Sequence, residues 1–140
     1  MLKRINDLLN QNKTFAIETT LSSKTLANTI KTAKSFNYNV ILLYFWLNSV
    51  GLAIQRIKER VRKGGHSISD DIVERRYYRG LKNLFDVFLP LVDKFIIFDN
   101  SGNKAIKISE TDVKGKQIIY NFEKMNELMR IVNDGKHQKG

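Results

Sequence analysis

The sequence predicts an α/β fold, in which helices flank a parallel sheet. Two apolar stretches rich in branched and aromatic side chains, Val40–Leu47 and Phe95–Phe98, have the composition of buried strands. Segments with apolar residues at helical spacing lie before, between and after them. Strands that alternate with helices are typical of layered α/β domains. The chain has no internal repeat and no linker-like stretch, so we predict a single domain over residues 1–140.

Five amphipathic segments predict helices. The apolar faces of the first three are formed by Leu2, Ile5, Leu8 and Leu9; by Leu26, Ile30 and Ala33; and by Val50, Ile54, Ile57 and Val61. The last two bury Val73, Tyr77, Leu81, Leu84, Phe85 and Phe88; and Phe122, Met125, Leu128, Met129 and Val132. We expect Pro90 to end or bend the fourth helix, because proline lacks a backbone N–H and its ring clashes with the preceding turn.

The remaining structured segments predict strands. Thr14–Ile17 is short, with branched and aromatic side chains, and indicates a further buried strand. Val40–Leu47 is continuously apolar, which predicts a strand covered on both faces. Ile106–Ser109 and Gln117–Tyr120 flank Lys114-Gly115 and predict a C-terminal hairpin ahead of the last helix.

Composition excludes several kinds of site. The 140 residues contain no cysteine, which rules out disulfides and thiolate metal sites, and two histidines are too few for a His-rich metal site. The longest apolar stretch has eight residues, whereas a membrane helix needs about 20. The N-terminus lacks an apolar stretch of signal-peptide length. We therefore predict a cytoplasmic protein with no membrane partner and no metal-ligating residues.

The formal net charge of +10 predicts an anionic partner. Eight Lys or Arg and four Asp or Glu lie between Arg56 and Arg79, on both sides of the pair Gly64-Gly65. This concentration favours a nucleotide or a phosphorylated small molecule over nucleic acid as the partner.

The first candidate site is Glu18-Thr19-Thr20, at the end of the strand predicted for Thr14–Ile17. In open α/β sheets, ligands bind in the crevice at the carboxyl ends of the strands. A carboxylate there can hold a hydroxyl-bearing substrate, and the threonines add hydroxyl groups. The alternative is a solvated strand end whose threonines begin a helix cap.

The second candidate site is an arginine set around a glycine-containing loop. Three arginines lie on the helix before Gly64-Gly65-His66, namely Arg56, Arg60 and Arg62, and three follow it: Arg75, Arg76 and Arg79. Guanidinium groups bind phosphate oxygens in pairs, and glycines allow a loop to close as a lid. The alternative is a solvated pair of basic helices with surface ion pairs.

Four motifs in this order resemble one family. FAIETTLS, RVRKGGHSI, ERRYYRGLKNL and IFDNSG follow one another as in the zeta-toxin-like predicted ATPases, bacterial proteins of P-loop kinase fold, and the resemblance is strongest over residues 13–102. It implies a parallel sheet, a helical lid and phosphoryl transfer from ATP with magnesium, in zeta toxins to a UDP-activated amino sugar. It assigns Glu18, with Thr19 and Thr20, to substrate binding.

The resemblance also assigns phosphate-contacting residues. Arg62 and Arg75 correspond to the catalytic arginines that reach the phosphates from the lid, and the alternates for that role are Arg76, Arg79 and His66.

The chain departs from this family in one large respect. No GxxxxGK[ST] motif is present, whereas the family has a strand, that phosphate-binding loop and a base aspartate ahead of the helix matched by residues 1–12. The family's missing strand is central in its sheet. We therefore expect a truncated kinase domain that binds ATP and magnesium weakly and is inactive alone. Its expected partners are a missing N-terminal half, a second copy of itself or an antitoxin.

A second hypothesis remains open beside the kinase. A basic α/β domain without chemistry can bind nucleotide or nucleic acid, or serve as a toxin remnant that interacts with another protein. Salt-dependent binding to nucleic acid distinguishes that reading, since phosphate neutralisation releases counterions.

Overall fold

The computed structural model describes residues 2–137, and the side chains of residues 2–134. Its helices are α1 Leu2–Asn10, α2 Leu26–Ser35, α3 Val50–Arg62, α4 Asp70–Asn83 and α5 Phe122–His137, with a π-helical turn at Leu84–Phe88. Its strands are β1 Ile41–Trp46, β2 Lys94–Asp99, β3 Ile106–Thr111 and β4 Gln117–Ile119. Within these residues the protein is a mixed α/β domain, as the alternation of apolar segments predicted.

The four strands form one mixed sheet in the order β1-β2-β3-β4. β1 and β2 are parallel, with Ile41 opposite Lys94, and the connection between them contains α3 and α4. The pairs β2–β3 and β3–β4 are antiparallel. The prediction of a parallel sheet therefore holds for one pair, because parallel strands need a long crossover and the short connections after β2 and β3 allow only antiparallel return. The predicted C-terminal hairpin is confirmed as β3–β4.

The strand predicted for Thr14–Ile17 is wrong. Residues 13–20 form neither a strand nor a helix. A strand exists only where a neighbouring backbone completes its ladder of hydrogen bonds, and composition alone does not provide that neighbour. Here a groove separates this irregular segment from β1.

Helices α4 and α5 cover one face of the sheet. The main core consists of buried side chains from strands and helices: Trp46, Leu81, Phe95, Ile97, Ile108, Met125, Leu128 and Val132. A second cluster joins α2 to the end of α4 and contains Leu21, Ala27, Ile30, Leu84 and Phe88. The predicted inward faces of α4 and α5 are largely confirmed, whereas α3 has no fully buried residue.

The prediction that the strand at Val40–Leu47 is covered on both faces is wrong. Ile41, Leu43 and Phe45 are 55%, 52% and 51% exposed, while Trp46 is buried. These alternating exposures follow from the topology, because β1 is the edge strand and its outward face has no helix packed fully over it. The Phe45 ring is partly covered because it stacks on Phe98 of β2, with ring centroids 4.9 Å apart.

The fourth predicted helix ends as expected near its proline. α4 continues into the π-helical turn, and the Leu89 N–H donates to the Leu84 carbonyl at 2.8 Å. Pro90 follows directly, where it cannot continue the hydrogen-bond ladder.

Candidate functional site

A groove of about 690 Å³ lies between the irregular segment 15–19 and β1. Side chains of α2, among them Leu26 and Ile30, also line it. Only two of its lining residues are charged, Glu18 and Arg60. In a protein of net charge +10, this groove is therefore a nearly neutral and mostly apolar surface.

The residues after Glu18 are fixed by close contact with α4. The Thr20 carbonyl lies so near Gly80 that a Cβ at that position would be 2.5 Å from its oxygen. Buried Asn83 donates to the Leu21 carbonyl at 2.8 Å. Leu21 is itself buried, has a left-handed backbone with φ of 59°, and donates its N–H to Thr19 Oγ1 at 3.1 Å. A bulky residue tolerates that backbone only where its surroundings impose it.

These contacts join the segment to α4, the helix that bears three of the predicted arginines. Gly80 and Asn83 contact Thr20 and Leu21 in turn, which fixes this end of the segment on α4. Arg76 lies on the same face of α4 as Gly80, one helical turn before it. The exposed Glu18 makes no ion pair within 4.0 Å in the part of the chain that the structure describes.

The glycine-containing loop joins α3 to α4 and is held at its first turn. The Gly65 N–H donates to the Arg60 carbonyl at 2.9 Å, and a Cβ at Gly65 would lie 3.0 Å from Arg60 Cγ. Gly64 has φ of 105°, a backbone that glycine adopts without strain. The end of α3 therefore turns sharply here, and the Arg60 side chain reaches the groove.

The structure brings together part of the predicted site. Glu18 and Thr19 line the groove with Arg60, whereas the other predicted residues are exposed outside its lining: Thr20, Arg62, His66, Arg75, Arg76 and Arg79. Convergence of Glu18 with Arg62 and Arg75 on one cleft stays a prediction. Sequence reasoning included Arg60 in the arginine set but assigned the phosphate contact to Arg62. The spacing of Arg60 along α3 gave no signal that it, rather than Arg62, faces β1.

The carboxyl ends of β1 and β2 are occupied by an internal polar network. Buried Asp99 accepts hydrogen bonds from Lys124 Nζ at 2.6 Å and from the Ser101 N–H at 3.0 Å. Burial raises the pKa of Asp99, but the hydrogen bonds from Lys124 and Ser101 outweigh it, so the pKa lies below its usual value. Arg56 donates to the Ser101 carbonyl at 3.1 Å. The turn IFDNSG therefore acts here as a structural junction.

Tyr77 closes the same end of the sheet. Its hydroxyl donates to the Leu47 carbonyl at 2.6 Å, and burial, above all, raises its pKa to about 12. The phenol is therefore neutral at physiological pH and serves as a donor rather than a base. Among the described residues, no group of three His, Cys, Asp or Glu side chains could hold a metal ion.

Comparisons with known proteins give one sequence match. Over 63 residues the chain is 44% identical to an uncharacterized protein of Haemophilus influenzae, and the match spans 45% of each chain. No protein-family model matches the sequence, and no solved structure matches the fold. No helix in residues 2–137 is long and apolar enough to cross a membrane.

Proposed function

We propose that this chain is the substrate- and lid-side portion of a zeta-toxin-like, ATP-dependent small-molecule kinase. In this proposal Glu18, with Thr19 and Thr20, binds the hydroxyl-bearing acceptor, for which a UDP-activated amino sugar is the candidate. Arg62 and Arg75 contact the phosphates, with Arg76, Arg79 and His66 as alternates. ATP and magnesium belong to the complete domain, and the chain alone binds neither tightly.

One observation carries this proposal. The Thr20 carbonyl sits against Gly80, which joins the segment bearing Glu18 to the helix bearing three of the arginines. A carboxylate that orients an acceptor hydroxyl and guanidinium groups that neutralise phosphate charge must be near each other for phosphoryl transfer. The contact at Gly80 fixes their supporting backbones together.

The chemistry follows from positioning and charge. In phosphoryl transfer the protein holds acceptor and donor in line and stabilises charge on the transferred group, so residues act through placement rather than covalent catalysis. Guanidinium groups suit the second task because their donor pairs match phosphate oxygens. Glu18 suits the first, since a carboxylate accepts a hydrogen bond from the acceptor hydroxyl.

The test compares the chain alone with a hybrid. In the hybrid, the N-terminal strand and phosphate-binding loop of a zeta-toxin kinase precede residue 1. Phosphorus NMR then follows transfer from ATP to UDP-N-acetylglucosamine. We expect no turnover by the chain alone. We expect turnover by the hybrid that falls at least a hundredfold in Glu18→Gln and in Arg62→Lys, with Lys104→Gln as a surface control.

Two outcomes would contradict the proposal. The first is turnover by the chain alone that is lost in Glu18→Gln. The second is a folded, ATP-binding hybrid that transfers no phosphate. In that case the second candidate, a non-catalytic interaction protein, is favoured, because the exposed apolar edge strand is the kind of surface such a protein uses.

A further inference from the structure

The outer edge of β1 has free backbone groups. The Val40 carbonyl accepts from the Lys94 N–H, and the Trp46 carbonyl accepts from the Asn100 N–H. In the parallel ladder between β1 and β2, the even-numbered residues of β1 therefore pair with β2. The N–H and C=O groups of Ile41, Leu43 and Phe45 point the opposite way, and these residues line the groove.

The facing wall of the groove also has free backbone groups. Within the described residues, no backbone–backbone hydrogen bond involves residues 14–20. Residues 15–19 line the groove opposite β1. Backbone N–H and C=O groups that become buried need partners, and a further strand in the groove would provide them for the outer edge of β1.

The lining defines the chemistry of that strand. Between the two walls the groove is lined mainly by apolar side chains, and its two charges, Glu18 and Arg60, are opposite in sign. The protein has a net charge of +10, but the groove itself has no net charge. The groove therefore does not favour an acidic partner. A strand covered on both faces is typically an uninterrupted apolar run, and such a run matches this lining.

We propose that the groove is a strand-acceptor slot for an extended, uncharged apolar segment of a separate polypeptide. A second copy of this chain does not fit, because its own β1 is already joined to a sheet and would meet the wall formed by residues 15–19. The C-terminal sequence GKHQKG is polar and charged, and α1 is anchored through buried Ile5 and Leu9. The slot requires no phosphoryl transfer, so it stands independently of the kinase proposal.

The test uses a synthetic peptide as the probe. The peptide FIIF, blocked so that it carries no charge, has the sequence of the apolar part of β2, which already pairs with the other edge of β1, and a polyethylene glycol tail keeps it in solution. Amide hydrogen exchange of the whole chain is measured by NMR with and without peptide. At saturation we expect exchange at Leu43 and Phe45 to slow at least tenfold. Leu42 and Tyr44, already bonded to β2, should change less.

Matched changes in the peptide and in the protein distinguish strand pairing from non-specific apolar binding. The same peptide with N-methyl groups at alternate residues keeps its side chains but loses donors, and it should bind at least tenfold more weakly. In the protein, Leu43→Pro removes an N–H that faces the groove and none that pairs with β2, as proline at an edge allows. Ala16→Pro does the same on the opposite wall, where the backbone makes no hydrogen bond to lose. Each should weaken binding at least tenfold while the NMR spectrum stays that of a folded protein.

Several results would overturn the proposal. One is unchanged exchange at Leu43 and Phe45 up to the solubility limit of the peptide. Another is protection that appears instead at Gln117–Ile119, the other free edge of the sheet. Equal binding by the N-methylated peptide, or by both proline variants, would point to non-specific apolar contact. Protection of β1 that grows with protein concentration alone would make a second copy the occupant.

Discussion

At the scale of single residues, Gly80 has the strictest steric requirement in the candidate site. It lies in the last turn of α4, just before the π-helical turn, where glycine is unfavourable, yet its missing side chain leaves room for the Thr20 carbonyl. Glycine therefore weakens the helix locally, but it allows two segments that are far apart in sequence to make contact.

We predict that Gly80→Ala lowers the free energy of unfolding by up to about 2 kcal/mol. The new Cβ would lie 2.5 Å from the Thr20 oxygen, and the overpacking, roughly 1–3 kcal/mol, exceeds the gain of about 1 kcal/mol in helix propensity. Gly51→Ala in α3 is the matched control, since its Cβ would meet its nearest neighbour, Ser49 Oγ, at 3.9 Å. Urea unfolding should show the control unchanged or stabilised. Equal effects of both changes would exclude the steric explanation.

Sequence reasoning finds residues whose role is local more readily than residues whose role depends on a distant contact. Glu18 and Thr19 were selected from a local pattern, and they line the groove. Gly80 was not selected, and Arg60 was in the arginine set without an assigned role, because their contacts are with Thr20 and with the groove beside β1, which are distant in sequence. A glycine within a helical pattern was the one available signal, and its partner could not be deduced from the pattern.

At the scale of elements, two apolar segments of similar composition differ in structure: one forms a strand and the other does not. Val40–Leu47 yields β1, because β2 provides a parallel neighbour that hydrogen bonds along its whole length. Thr14–Ile17 has branched and aromatic residues too, but no backbone lies beside it. Strand formation depends on pairing as well as on composition. The sequence therefore predicts apolar segments well and predicts less well which of them join a sheet.

Helix α5 is joined to β2 by an ion pair as well as by apolar packing. Lys124 Nζ lies 2.6 Å from Asp99 Oδ2, and the Asp99 side chain is 5% exposed. The hydrogen bond from Lys124 helps lower the pKa of Asp99, and the same bond raises the pKa of Lys124. Both charged forms are thus favoured in the folded protein.

We predict that Lys124→Met lowers the free energy of unfolding by roughly 2 kcal/mol at pH 7, because it leaves a buried carboxylate without its strongest partner. A lowered carboxyl pKa contributes stability above the unfolded-state value, about 3.9, and that contribution is lost as pH falls through the folded value. The difference between wild type and variant should therefore shrink below about pH 4. Lys107→Met, which breaks the exposed pair with Glu110, should change stability little at either pH. A difference that stays constant down to pH 2 would contradict this account.

At the scale of the whole molecule, the sequence predicted the class and, apart from the strand at Thr14–Ile17, the order of elements, but it did not predict how the strands pair. The α/β alternation, the hairpin and the last helix are present. The antiparallel pairing of β2 with β3 was not predicted, because two strands separated by a turn can pair with each other or with others, and only the assembled sheet decides. The open edge of β1 follows from the same arrangement.

The sheet contains pairings of very different range in sequence. Ser109 and Ile118 are nine residues apart where β3 meets β4, whereas Val40 and Asp93 are 53 apart where β1 meets β2. Local pairings cost less chain entropy to close. We predict that in pulse-labelled refolding the amides of β3 become protected before Leu42 and Tyr44 of β1. Simultaneous protection would show that the sheet forms in one step.

This difference in range has a consequence during synthesis. At about 5–20 residues per second, β1 leaves the ribosome roughly 3–10 s before β2 does. Throughout that interval the nascent chain carries Ile-Leu-Leu-Tyr-Phe-Trp, an uncharged stretch with strong strand preference and no proline. Even after β2 arrives, only one edge of that stretch is paired. This uncharged hexapeptide is thus unpaired while the chain between β1 and β2 is made, and it keeps one open edge afterwards.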